Sequence, residues 1–120
     1  RVYMAGGELN GDNGAAFGAS AVQFVSTFRV RHAFISIAAI SAEAGPSDDY
    51  LAEAEFARMV LSCGERRYLL SDASKFGRRA LIRVCSFGEI NVLITDQAPP
   101  ASIASVLQDA GVTIEIAQRA

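Results

Sequence analysis

Two rhythms of apolar residues run through this chain. Short runs rich in apolar residues occupy residues 2–5, 33–40, 68–71, 92–95 and 112–117. Their length and their bounding turn residues read as β-strands. Between them, apolar residues recur every three or four positions, as on one face of a helix. The first such stripe is Gly18, Ala21, Val22, Val25 and Phe28. The second is Ala52, Phe56, Met59, Val60 and Cys63, with Asp48 or Asp49 as cap and Gly64 as stop. The third is Ile103, Val106, Leu107 and Ala110, opened by Pro99 or Pro100 and stopped by Gly111. Residues 80–84 are ambiguous between a strand and a helical turn. Gly6-Gly7 reads as a turn, and residues 10–14, 41–47 and 72–79 read as polar loops.

The order is therefore β-α-β-α-β-loop-β-α-β. Strands that alternate with helices and are apolar throughout favour an α/β fold. The expected architecture is a mostly parallel, Rossmann-like sheet with helices on both faces.

Composition narrows the partners. The 120 residues suit one domain, 51% of them hydrophobic and 20% charged. A net charge of -2 argues against a nucleic-acid grip by this chain itself. Arginines pair up at Arg29/Arg31, Arg66/Arg67 and Arg78/Arg79, but acidic residues offset them. No apolar run reaches the ~20 residues needed to span a bilayer. Cys63 and Cys85 form no CxxC pair and no ligand cluster with His32. A disulfide is allowed by count, while two thiols without a leader point to a reduced cytoplasm. The chain opens on Arg1 and runs straight into an apolar stretch, which reads as the later portion of a longer protein.

In open α/β sheets, ligands bind beyond the carboxyl ends of the strands. That directs attention to Gly6-Gly7, to residues 41–47 and 72–77, and to Asp96. Asp72, Ser74 and Lys75 follow a strand directly. A lysine supplies a point charge, and a hydroxyl with loop amides supplies directed donors, which together suit a phosphate or carboxylate. The same D-x-S-K stretch also fits a solvated turn in which Asp72 or Ser74 caps backbone amides. Asp96 fits either a site residue or a helix cap. GxGxxG, P-loop, GxSxG and HExxH motifs are absent. His32 reads as a packing residue. Glu53 and Glu55 are two apart and do not share a helix face, and Arg58 reads as the surface partner of Glu55.

Four stretches together resemble the C-terminal sensor domain of DeoR-family repressors. They are Ala5-Gly6-Gly7-Glu8-Leu9, the helix Glu53-Ala54-Glu55-Phe56-Ala57-Arg58, the loop Asp72-Ala73-Ser74-Lys75-Phe76-Gly77-Arg78-Arg79-Ala80, and Ile94-Thr95-Asp96. They stand in the family's order and cover nearly the whole chain. The resemblance implies the fold shared by ribose-5-phosphate isomerase and the coenzyme A transferases. It implies a phosphorylated sugar or polyol as effector, no cofactor and no metal, self-association, and a separate winged-helix domain for DNA. By position, Asp72, Ser74 and Lys75 would line the effector pocket, with Gly6 and Gly7 near it and Asp96 beside them.

The chain also departs from the family. The glycine-threonine phosphate loop has no counterpart. The loop after the strand at residues 33–37 is Ala38-Ala39-Ile40-Ser41, without an acid, and Ala57 stands where the family helix has lysine. The missing acid argues against an isomerase, which needs a carboxylate base beside the sugar carbons. A domain that serves mainly for assembly is the remaining alternative.

Overall fold

A computed structural model describes residues 1–9 and 15–118 of the chain. The polar loop expected at residues 10–14 lies outside the described residues. A hairpin of β1 (Glu8–Leu9) and β2 (Ala16–Phe17) leads into α1 (Ala19–Ser26). Then come β3 (Val30–Ser36), β4 (Ala39–Ser41), β5 (Gly45–Asp48) and α2 (Leu51–Cys63). The chain ends with β6 (Gly64–Leu70), β7 (Ile82–Arg83), β8 (Val92–Thr95), α3 (Ala101–Asp109) and β9 (Thr113–Ile116).

The main sheet has the order β3-β6-β8-β9 and is parallel throughout. Strands β4, β5 and β7 form a small antiparallel sheet beside it. The parallel α/β architecture is the one expected from the alternating pattern. Each parallel strand is added on the same side of its predecessor, and right-handed crossovers then put their connections on one face. Accordingly, Ala54, Ala57 and Leu61 of α2 share one core with Ile103 and Leu107 of α3. Ile35, Leu69 and Leu93 of the sheet belong to the same core.

The other face, carrying His32, Phe34, Tyr68 and Leu70 in register, is open among the described residues. Phe34 is 52% and Leu70 39% exposed. Phe34 stacks on Tyr68 with ring centroids 4.4 Å apart, and the Tyr68 hydroxyl lies 2.9 Å from His32 Nδ1. His32 is thus an exposed residue of β3 held by Tyr68.

Several local expectations are corrected. Residues 2–5 are not a strand: Val2, Tyr3 and Met4 are exposed and pair with no strand among the described residues. The apolar run 33–40 is not one strand, because the chain leaves the main sheet after Ser36 and enters the small one at Ala39. Residues 45–47, within the stretch 41–47 read as loop, form a buried strand together with Asp48. Tertiary pairing overrides composition there. Helix α2 starts after Tyr50 without a side-chain cap, so neither Asp48 nor Asp49 caps it. Its buried stripe is Ala54, Ala57 and Leu61. Phe56 turns towards Phe17 in an edge-to-face contact, and Ala52 is exposed. Gly64 does not end the helix through a left-handed turn. Its φ is -94°, and it opens β6 at once. Both cysteines are free thiols. Among the described residues no helix is long and apolar enough to cross a membrane.

Candidate functional site

The carboxyl ends of β6 and β8 are adjacent, and the expected residues gather there. Ser71 N donates to Ile94 O at 3.0 Å, which aligns the two strand ends. The chain then turns through one short 3₁₀ turn, Ala73–Lys75, capped by Asp72. Asp72 Oδ1 accepts from Ser74 N at 2.8 Å and also from the Ser74 hydroxyl. Asp96, just past β8, accepts Ala73 N on its Oδ1 at 2.8 Å. Two carboxylates therefore clamp the first two amides of the turn, a charge-assisted arrangement that fixes where Lys75 starts. Gly77, at φ 86°, reverses the chain, and its N–H donates to Ile40 O at 2.7 Å. This ties the turn to the small sheet.

Hydrogen bonds from the Ser74 hydroxyl and then the Ser74 amide hold the Asp72 carboxyl below the usual carboxylate range. The charges of Lys75 and Arg78 act in the same direction. Lys75 itself is half-buried, and its ammonium has no hydrogen-bond or ion-pair partner among the described residues. The arrangement offers a lysine and a serine hydroxyl on a turn whose backbone is fixed. It offers no nucleophile–base pair.

The structure thus brings together Asp72, Ser74, Lys75 and Asp96. Gly6 and Gly7 stand elsewhere. A Cβ added at Gly7 would meet Phe17 O at 2.6 Å, so this turn packs against the hairpin and the start of α1. Phe17 in turn lines a cavity of about 450 Å³ beyond the carboxyl end of β3. Ser36, Ile37, Ala38, Asp48 and Glu53 share its walls.

Asp48 and Glu53 were missed as a pair. The residues directly after β3 carry no acid, but the β4–β5 hairpin returns Asp48 to that strand end, and the first turn of α2 adds Glu53. Asp48 is only 6% exposed. Burial first, then a hydrogen bond with Asp48, then the charges of Asp48 and Asp49 push the Glu53 carboxyl up. The signal lay in a five-residue spacing across a strand–helix junction, which neither periodicity detects. Arg58 does not pair with Glu55. Its Nε donates to Val84 O at 3.1 Å and its Nη2 to Arg83 O. Among the described residues no cluster of three or more metal-ligating side chains occurs.

The parallel α/β sheet thus carries a cation-bearing turn at adjoining strand ends. The comparison with known families is specific: residues 1–97 match the DeoR C terminal sensor domain, and the chain belongs to that family. The chain is 29% identical to the glycerol-3-phosphate regulon repressor of Escherichia coli (strain K12), over 97% of this chain and 46% of that protein. It is 28% identical to the HTH-type transcriptional repressor CsqR of the same organism, over 98% of this chain and 45% of that protein. It is 32% identical to the glycerol-3-phosphate regulon repressor of Haemophilus influenzae, over 82% of this chain and 38% of that protein. The chain therefore spans less than half the length of the curated relatives it matches.

Proposed function

We propose that this chain is the effector-sensing part of a transcriptional repressor, that it binds a phosphorylated sugar or polyol, and that it leaves that ligand chemically unchanged. One observation carries the reading: a half-buried lysine with no partner among the described residues, next in sequence to a serine, on a turn at adjoining strand ends whose amides two carboxylates clamp. Lys75 and Ser74 would take the phosphate, Asp72 and Asp96 would hold the turn, and the Gly6-Gly7 turn would stand further off. Glycerol 3-phosphate is the effector favoured here. Two of the repressors named above carry it in their names, and the segment Thr95-Asp96-Gln97-Ala98-Pro99-Pro100 is similar to theirs.

DNA would be contacted through a domain outside this chain, which accords with the share of the relatives that the chain spans and with its net charge of -2. The open sheet face and the unpaired edge of β3 accord with a further part of the sensor packing there, because parallel sheets are ordinarily covered on both sides. Self-association and a cytoplasmic location belong to the same reading. An effector would bias the assembly between two arrangements by its differential affinity for them.

A sugar-phosphate isomerase is the second reading, favoured by the Asp48–Glu53 carboxyl pair beyond β3. A thermal-shift screen of the full-length protein with glycerol 3-phosphate and several sugar phosphates tests the sensor. A ligand at 100 times its dissociation constant adds about 2.7 kcal/mol. Stabilisation by none of them would remove the sensor reading, and turnover of a pentose phosphate would replace it with the enzyme.

A further inference from the structure

The opposite end of the sheet holds a second concentration of positive charge. A cleft of about 580 Å³ opens between the last turns of α2, the start of β6, and β7 with the residues after it. That volume lies within the range of small-metabolite sites, roughly 300–1,000 Å³. Arg58 of α2, Arg67 of β6 and Arg83 of β7 line it, together with Ser62 and Glu89. Three guanidinium groups thus face one carboxylate. That carboxylate is already engaged, since Glu89 Oε2 accepts Ser86 N at 2.7 Å and the Ser86 hydroxyl at 3.2 Å.

The arginines are placed rather than loose. Arg58 is held by the carbonyls of Val84 and Arg83. Arg67 Nε is shut off from water and has no hydrogen-bond partner among the described residues. A buried donor without a partner is uncommon and costs stability. Arg58, Arg67 and Arg83 line the same cleft as Cys85 and Glu89. Among the described residues none of the three has an ion-pair partner. Three like charges sharing a cleft with one carboxylate leave an excess of positive charge, and an arriving anion would relieve that.

We infer that this cleft is a second anion site, at the amino-terminal end of the parallel strands, for a small phosphate-bearing molecule. Guanidinium donors from two strands, with the charge of the carbonyl-anchored Arg58 beside them, suit a tetrahedral oxyanion with several acceptors better than a single planar carboxylate. The concave shape and the net charge of -2 do not suit a duplex backbone. The inference is independent of the effector reading, because Lys75 lies at the other strand ends.

The test is an NMR titration of the full chain with inorganic pyrophosphate, following the arginine Nε–Hε signals at constant ionic strength. Saturable shifts of Arg58, Arg67 and Arg83 are expected. Arg67→Met and Arg83→Met should each weaken binding about tenfold or more, and Arg79→Met, an arginine outside the cleft, should leave it unchanged. Arg83 is exposed, so Arg83→Met decides the matter if Arg67→Met fails to fold. Absence of a saturable shift, or affinity unaltered in Arg83→Met, overturns the site. Weakening in Arg79→Met as large as in Arg83→Met would show only a general charge effect and equally overturn it.

Discussion

Gly64 is where the helix α2 becomes the strand β6 without an intervening loop, and a single methyl group tests how tightly that junction is built. A Cβ placed on Gly64 would lie 2.5 Å from Ala33 Cβ, 3.4 Å from Ala33 N and 3.4 Å from Arg66 O. Non-bonded carbons rest at about 3.5–4.0 Å, so the added methyl intrudes by about 1 Å or more. Ala33 has no side-chain torsion through which to yield, and it is 3% exposed in the strand paired with β6. Relief therefore requires the backbones of β3 and β6 to separate. Overpacking of this kind costs about 1–3 kcal/mol. Gly64 is at φ -94°, which alanine adopts freely, so Gly64→Ala also gains about 0.4–1 kcal/mol by restricting the unfolded chain. The net expectation is a loss of about 1–2 kcal/mol. Urea unfolding followed by circular dichroism should show a lower midpoint with an unchanged slope. Adding Ala33→Gly to Gly64→Ala should restore room, giving a favourable coupling of about 1 kcal/mol in the double-mutant cycle. Gly64→Ala as stable as the parent, or no coupling with Ala33→Gly, would refute the close-approach argument.

Other expectations concern titration and reactivity. Hydrogen bonds from Ser74 hold the Asp72 carboxyl below its ordinary value, so Ser74→Ala should raise its midpoint in a carboxyl-detected NMR titration. Because the folded value is the lower one, the stabilising contribution of Asp72 is present above the unfolded carboxylate value. It is lost as pH falls through the lowered value, and Ser74→Ala should shrink that acid-sensitive part. Glu53 has the opposite sign. Its raised carboxyl favours the folded state at low pH, and this contribution is lost as pH rises through the raised value, so Glu53→Gln should not lower stability at neutral pH. Asp48→Asn should bring the Glu53 midpoint only part of the way down, because burial is the first cause of the shift. Burial pushes the Cys85 thiol up to about 12, whereas Cys63 is half-exposed. A disulfide-exchange reagent at mildly alkaline pH should therefore label one thiol rapidly in the folded chain and the second only on unfolding.

What could be read from the pattern, and what could not, follows from the range of the interactions involved. Residues 92–95 are apolar without interruption and end at an aspartate, and they form the interior strand β8 with those same bounds. Pro100 and Gly111 bracket α3 as helix punctuation should. The D-x-S-K turn was legible because its cap is local, with Asp72 serving the amide two residues on. Its second clamp was not legible as such. Asp96 holds Ala73 N from a separate strand, 23 residues away. Residues 2–5 have a strand's composition but no partner strand among the described residues, and strands exist only by pairing. The run 33–40 hides a change of sheet at residues 37–38 that only the β4–β5–β7 pairing dictates. The buried stripe of α2 was misjudged because small residues, Ala54 and Ala57, face the sheet. The bulkier Phe56 packs sideways against the hairpin, so hydrophobic size did not mark the inner face.

Calorimetric titration of glycerol 3-phosphate into the full-length protein, parent against Lys75→Ala, bears most directly on the sensing role. Removing one charged hydrogen-bond donor from the phosphate is expected to cost about 1.5–3 kcal/mol, or about 10- to 150-fold in affinity, while DNA binding persists and its release by ligand weakens. An affinity identical in the two proteins would contradict the placement of the anion at Lys75.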